Sequence, residues 1–103
     1  MAMISLEKLL EQIRHYHKAD DLSLVEKAYR FAEEKHEGQK RKSGEPYFTH
    51  PVHVAYSLAD LGLDTQSICA ALLHDVVEDT ETTYEEVTRE FGETVTMLVD
   101  GVT

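Results

Sequence analysis

Ala70-Ala71-Leu72-Leu73-His74-Asp75-Val76-Val77-Glu78-Asp79-Thr80 is the stretch on which the reading of this chain turns. At about 100° per residue, setting His74 at zero puts Glu78 near 40°, Asp75 near 100° and Asp79 near 140°. Leu72, Val76, Leu73 and Val77 fall between about 160° and 300°, so the segment makes a helix with an apolar face and a polar sector of four ionisable groups. Three carboxylates within five residues repel one another unless a cation or several donors neutralise them.

A divalent metal would supply that cation. Imidazole with carboxylate is ligand chemistry for manganese, iron or zinc, whereas all-oxygen sets suit magnesium or calcium. His74 and Asp75 both reach an ion lying over the groove between them. His50, at a loop-to-helix junction before Pro51, is a third candidate ligand brought in from another element. Glu78 and Asp79, one turn on, then lie beside the metal, where they could orient and deprotonate a water. The competing reading is a solvated acidic face. His15 and His17 read as solvated or half-buried, His53 as packing or support for His50, and His36 as either.

Charge is unevenly placed around this stretch. The 103 residues carry ten Lys+Arg and twenty Asp+Glu, a net charge of −10. That balance excludes non-specific binding to DNA or anionic membrane, where phosphate would be repelled. Yet residues 35–42 hold Lys35, Lys40, Arg41 and Lys42, while residues 74–103 hold nine acids against Arg89 alone. Arg pairs bidentately with phosphate or stacks on a base, and Lys adds a point charge. Lys40-Arg41-Lys42-Ser43-Gly44 is therefore a candidate anion-binding loop, and the two halves together predict a bipolar site.

Outward from the site the pattern is helical throughout. Leu6, Leu9, Leu10, Ile13 and Tyr16/His17 follow Ser5 as N-cap, and Ser23-Leu24-Val25-Glu26 reads as a capping box ahead of a stripe of Leu24, Ala28, Phe31 and Ala32. Residues 38–49 form the longest loop. Pro51 opens a helix running to Gly62, Asp64 or Thr65 caps the next, Thr83-Tyr84-Glu85-Glu86 is a second capping box, and Val95, Leu98 and Val99 start a last helix. The chain reads as one all-α domain of five or six helices. Its single cysteine, Cys69, excludes a disulfide framework, no apolar run approaches a membrane span, and the expected compartment is the cytoplasm.

Read together, these strings resemble the N-terminal hydrolase domain of RelA/SpoT-type (p)ppGpp synthetase/hydrolases, a branch of the HD metal-dependent phosphohydrolases. The matching segments are residues 36–47, His50-Pro51 with Val54-Ala55, residues 70–80, Phe91-Gly92 and Leu98-Val99-Asp100-Gly101-Val102-Thr103. The resemblance implies an HD helical bundle that removes the 3′-pyrophosphate of guanosine tetra- or pentaphosphate with one Mn²⁺ ion. By position it implies His50, His74 and Asp75 as metal ligands, Glu78 and Asp79 as the water-activating pair, and Arg41, Lys42 and Ser43 in the nucleotide pocket. Synthetase-only relatives have degenerate His-Asp and Glu-Asp elements, and here both are intact.

Lys35 and Thr96 stand where the family commonly has alanine. The family's last ligand, an aspartate, and a nucleotide-holding asparagine fall after residue 103. Residues 1–103 are thus expected to be the N-terminal part of the domain, cut at its C-terminus, with weak metal binding and weak or no catalysis. The resemblance also leaves open that the parent is a GTP pyrophosphokinase as well, since long members of the family carry synthetase and regulatory domains that residues 1–103 do not include. Bare core surface is expected around Val87, Leu98 and Val99, inviting homodimers or aggregation. The alternatives are a small stand-alone hydrolase of another nucleotide and a non-catalytic regulatory or oligomerisation module.

Overall fold

Short polar caps divide the chain into six helices in the computed structural model, which describes residues 4–18 and 21–101. Val102-Thr103, the end of the last matching string, lie outside the described residues. The helices are α1 (Leu6–Arg14), α2 (Ser23–Lys35), α3 (Thr49–Asp60), α4 (Thr65–Asp79), α5 (Tyr84–Phe91) and α6 (Glu93–Gly101). Among the described residues there is no strand, only an isolated bridge between Lys40 and Pro46 in the α2–α3 loop. The all-α expectation holds.

Three expected caps are present. The Ser5 side chain accepts from Lys8 N–H, Asp64 from Ser67 N–H and Thr83 from Glu86 N–H, each satisfying a donor that the first turn leaves unpaired. Three boundaries differ from the sequence reading. Ser23 is the first residue of α2 rather than its cap, because the Asp21 carboxylate reaches forward to both the main-chain N–H and hydroxyl of Ser23. Helix α3 begins at Thr49, ahead of Pro51, a position where a proline's missing N–H costs nothing. And α1 stops at Arg14. There His17 Nε2 lies 3.0 Å from the Leu63 carbonyl, anchoring the following segment to the α3–α4 turn. Tyr16 lies against that turn too. Gly62 takes φ +79°, and a Cβ there would come within 3.0 Å of the Tyr16 ring.

Helix α4 is the centre of the molecule, packing against α2, α3 and α6 while α1 closes over α3 and α2. Ile68, Cys69, Leu72, Leu73 and Val76 of α4 are fully buried, matching the apolar face read from the 70–80 stretch. Burying each such Leu or Ile contributes about 1.5–3 kcal/mol, so the helix carrying the ionisable sector is also the best-anchored one. In α2 the buried stripe is Val25, Ala28, Tyr29 and Ala32, with Leu24 and Phe31 only half-buried at its edge. The expected bare surface needs correction. Val87 and Val99 are fully buried, between α5, α6 and the core, and of the three only Leu98 is exposed. Leu98 borders a small apolar groove of about 350 Å³ with Val54, Leu58, Ala70, Ala71 and His74.

Candidate metal centre and nucleotide loop

Helix α4 presents His74 and Asp75 where its surface meets the first turn of α3, which carries His50. The two imidazole rings lie 6.5 Å apart between centroids. One ligand atom each from His50, His74 and Asp75 falls within 4.8 Å of the others. Asp75, Glu78 and Asp79 form a second such group, so Asp75 belongs to both. His50 is exposed, His74 half-buried and Asp75 buried. All five site residues expected from the sequence on these two helices are therefore brought together.

The hydrogen bonding of His74 bears on what fills the gap between them. Its Nδ1 lies 2.8 Å from the Ala71 carbonyl, which can only accept, so Nδ1 carries the proton. In a neutral ring Nε2 is then a bare lone pair, and it lies 3.1 Å from Asp75 Oδ1, itself an acceptor. Asp75 Oδ2 is buried with no hydrogen-bond partner. A proton on Nε2 or a bound cation relieves that contact, and the orphaned, buried Asp75 Oδ2 leaves a further acceptor that a cation can satisfy. A divalent ion fits this donor set, with the Ala71 carbonyl fixing the ring tautomer in the manner usual for metal-binding histidines.

Asp79 is held by residues to which the sequence reading gave no role. Tyr47 O–H donates to Asp79 Oδ2 at 2.8 Å, and Gln39 Nε2 donates to the Asp79 carbonyl at 3.0 Å. Burial first, then the bond to Asp79 and the charge of Asp75, push the Tyr47 phenol up to about 12. It stays a donor at every working pH. His36, left open by the sequence, is buried, tilted against the Tyr47 ring at 5.1 Å and bonded through Nδ1 to Gln39 Oε1 at 2.9 Å. The only sequence signal for Gln39 and Tyr47 was their place in the quoted strings.

Arg41, Lys42 and Ser43 stand exposed at the tip of the α2–α3 loop and line a cleft of about 670 Å³ with Lys40, Glu45 and Tyr47. A second cleft, of about 780 Å³, is lined by Lys35, Gln39, Glu78, Asp79 and residues 80–82 and 86. The expected bipolar layout is present in this form: basic tip, then Tyr47, then the acidic end of α4. Of the remaining histidines, His53 is half-buried one turn after His50 and His15 is exposed.

A family model described as an HD domain matches residues 28–103. This chain belongs to the HD domain family. The segment matched runs from the middle of α2 to the end of the chain and so includes His50, His74, Asp75, Glu78 and Asp79, with Arg41, Lys42 and Ser43 at the loop tip. Similar proteins include a guanosine-3′,5′-bis(diphosphate) 3′-pyrophosphohydrolase of Aquifex aeolicus (strain VF5), 54% identical over 100 residues, 97% of this chain and 14% of the relative. A GTP pyrophosphokinase of Streptomyces coelicolor is 52% identical over 101 residues, covering 95% of this chain and 12% of its own. The bifunctional (p)ppGpp synthase/hydrolase SpoT of Escherichia coli (strain K12) is 48% identical over 100 residues, 97% and 14% of the two chains. These relatives bear out the RelA/SpoT-type resemblance, and this chain spans only about an eighth of their length.

Proposed function

We propose that the protein carrying this HD domain hydrolyses the 3′-pyrophosphate of guanosine tetra- or pentaphosphate, with His50, His74 and Asp75 among the ligands of one Mn²⁺ ion, and that residues 1–103 alone have weak or no activity. The observation that carries the reading is the grouping of His50, His74 and Asp75 within ligand distance of one another, with the orphaned Asp75 oxygen and a carboxylate pair one turn on along α4. Relatives named as 3′-pyrophosphohydrolase and as SpoT support the substrate. The ion, when bound, supplies Lewis-acid polarisation of the phosphoryl oxygen and lowers the pKa of water.

The chain's own residues do the rest. Arg41 and Lys42 pair with the nucleotide's phosphates or stack on its guanine, and Ser43 adds a hydroxyl. Glu78 and Asp79 orient a water and take its proton. The water oxygen bonds to the phosphorus attached to the ribose 3′-oxygen, that P–O bond breaks, and the 3′-oxygen leaves with a proton. Pyrophosphate and a guanosine 5′-di- or triphosphate result. The compartment we assign is the cytoplasm; no helix among the described residues is long and apolar enough to cross a membrane. DNA is no partner, given the net charge of −10.

The test is pyrophosphate release from (p)ppGpp in the protein that carries this domain, with Mn²⁺ present. His74→Ala is expected to abolish release, and Arg41→Ala to raise KM about tenfold with kcat little changed. Unaltered release by a folded His74→Ala protein would overturn the metal assignment. Absence of Mn²⁺ binding by the unsubstituted protein would favour the non-catalytic reading instead.

A further inference from the structure

Asp79 is the last residue of α4, and Thr80 after it is already extended, with φ −135° and ψ −179°. A helix end leaves its final carbonyls without intrahelical partners and frays first, and a carboxylate there opposes the helix dipole. Nothing intrinsic to α4 therefore fixes this exposed carboxylate. What fixes it comes from the α2–α3 loop. Tyr47 N–H donates to the Gln39 carbonyl at 2.9 Å and Arg41 N–H to the Glu45 carbonyl at 2.8 Å, making a short stem with Arg41–Gly44 as its tip. The two residues closing that stem, Gln39 and Tyr47, are the ones that hold Asp79, one by its carbonyl and one by its carboxylate.

The direction of these bonds is fixed. Asp79's carbonyl accepts only, so the Gln39 amide must turn Nε2 toward it and Oε1 toward His36. Oε1 accepts only, so His36 must carry its proton on Nδ1. This assignment leaves the buried His36 Nε2 as a bare lone pair, in accord with its having no partner. We propose that Gln39 and Tyr47 are positioning residues for Asp79, with His36 setting the amide of Gln39, so that the nucleotide-binding loop and the water-activating carboxylate are built as one unit. The proposal rests on the hydrolase reading for its catalytic consequence, but its hydrogen-bond chain stands independently of it.

Two measurements test it. In the metal-free protein, ¹⁵N NMR of the His36 ring is expected to show a protonated Nδ1 and an unprotonated Nε2, and Gln39→Leu to remove that preference. An Nε2-protonated His36 in the unsubstituted protein would overturn the chain. In turnover, Tyr47→Phe, which keeps the ring against His36, and Gln39→Leu are each expected to lower kcat about tenfold to a hundredfold with KM within about twofold. The same substitutions are expected to have no further effect in an Asp79→Asn background, since they act through that residue. Wild-type kcat in both variants, or full additivity with Asp79→Asn, would overturn the positioning role. An unsubstituted protein that releases no pyrophosphate would instead sink the hydrolase reading, and the bracket would then be judged by the NMR alone.

Discussion

At Asp75 one carboxylate oxygen is buried without a partner and the other lies 3.1 Å from His74 Nε2. Such an arrangement costs stability in the metal-free protein and is repaired by a cation. Asp75→Asn replaces an acceptor by an amide that can donate to His74 Nε2. The metal-free variant is therefore expected to be about 1 kcal/mol more stable than the unsubstituted chain, read from urea melts. The order should reverse with metal: Mn²⁺ at about 100 times its Kd stabilises the unsubstituted chain by about 2.7 kcal/mol, and Asp75→Asn should lose most of that. Equal metal-induced stabilisation of both proteins would remove Asp75 from the ligand set. The His74-Asp75 doublet was legible because helical periodicity alone puts both on the polar sector. His36 was not: it stands among Lys35, Glu37 and Lys40, and only the fold reveals that Tyr47 and Phe48 cover it.

The helices follow their caps. Asp64 and Thr83 were legible as N-caps because each stands three residues before the main-chain N–H it accepts from. Ser23 was not, since Asp21 offers an acceptor of the same reach two residues earlier, and local sequence does not decide between them. At Asp64 the Ser67 hydroxyl, and with it the Ser67 N–H, holds the carboxyl below its ordinary value of 3.8. A depressed folded pKa contributes stability that is complete above the ordinary value and lost as pH falls through the folded one. Asp64→Ala is thus expected to cost about 1 kcal/mol at neutral pH, and progressively less in acid. Asp64→Asn, which caps without titrating, should flatten that acid limb in thermal melts at several pH values. The Gln39 and Tyr47 contacts escaped the sequence for a different reason. They join residues 40 and 32 positions apart, and depend on how the loop folds back over the end of α4.

On the scale of the whole molecule, one central helix both holds the core together and carries four of the candidate site residues, His74, Asp75, Glu78 and Asp79. Val76 is fully buried on the side of α4 opposite the site, and Cys69 is buried about one turn before Leu73. That geometry anchors His74 and Asp75 to the core, and it also gives the lone thiol a use. Burial, and to a lesser extent the charge of Asp64, push Cys69 up to about 12, so in the folded protein it is neither a thiolate nor open to solvent. Because α4 is gripped by α2, α3 and α6, no local fraying of a terminus exposes it. Alkylation of Cys69 is therefore expected to proceed only at the rate, or to the extent, that the domain as a whole opens. Addition of Mn²⁺ should slow the reaction in the unsubstituted chain and leave it unchanged in Asp75→Asn. Fast labelling under native conditions would mean that α4 leaves the core by itself. The chain's one sulfhydryl is in this sense a built-in clock for unfolding, readable by mass alone and needing no added reporter.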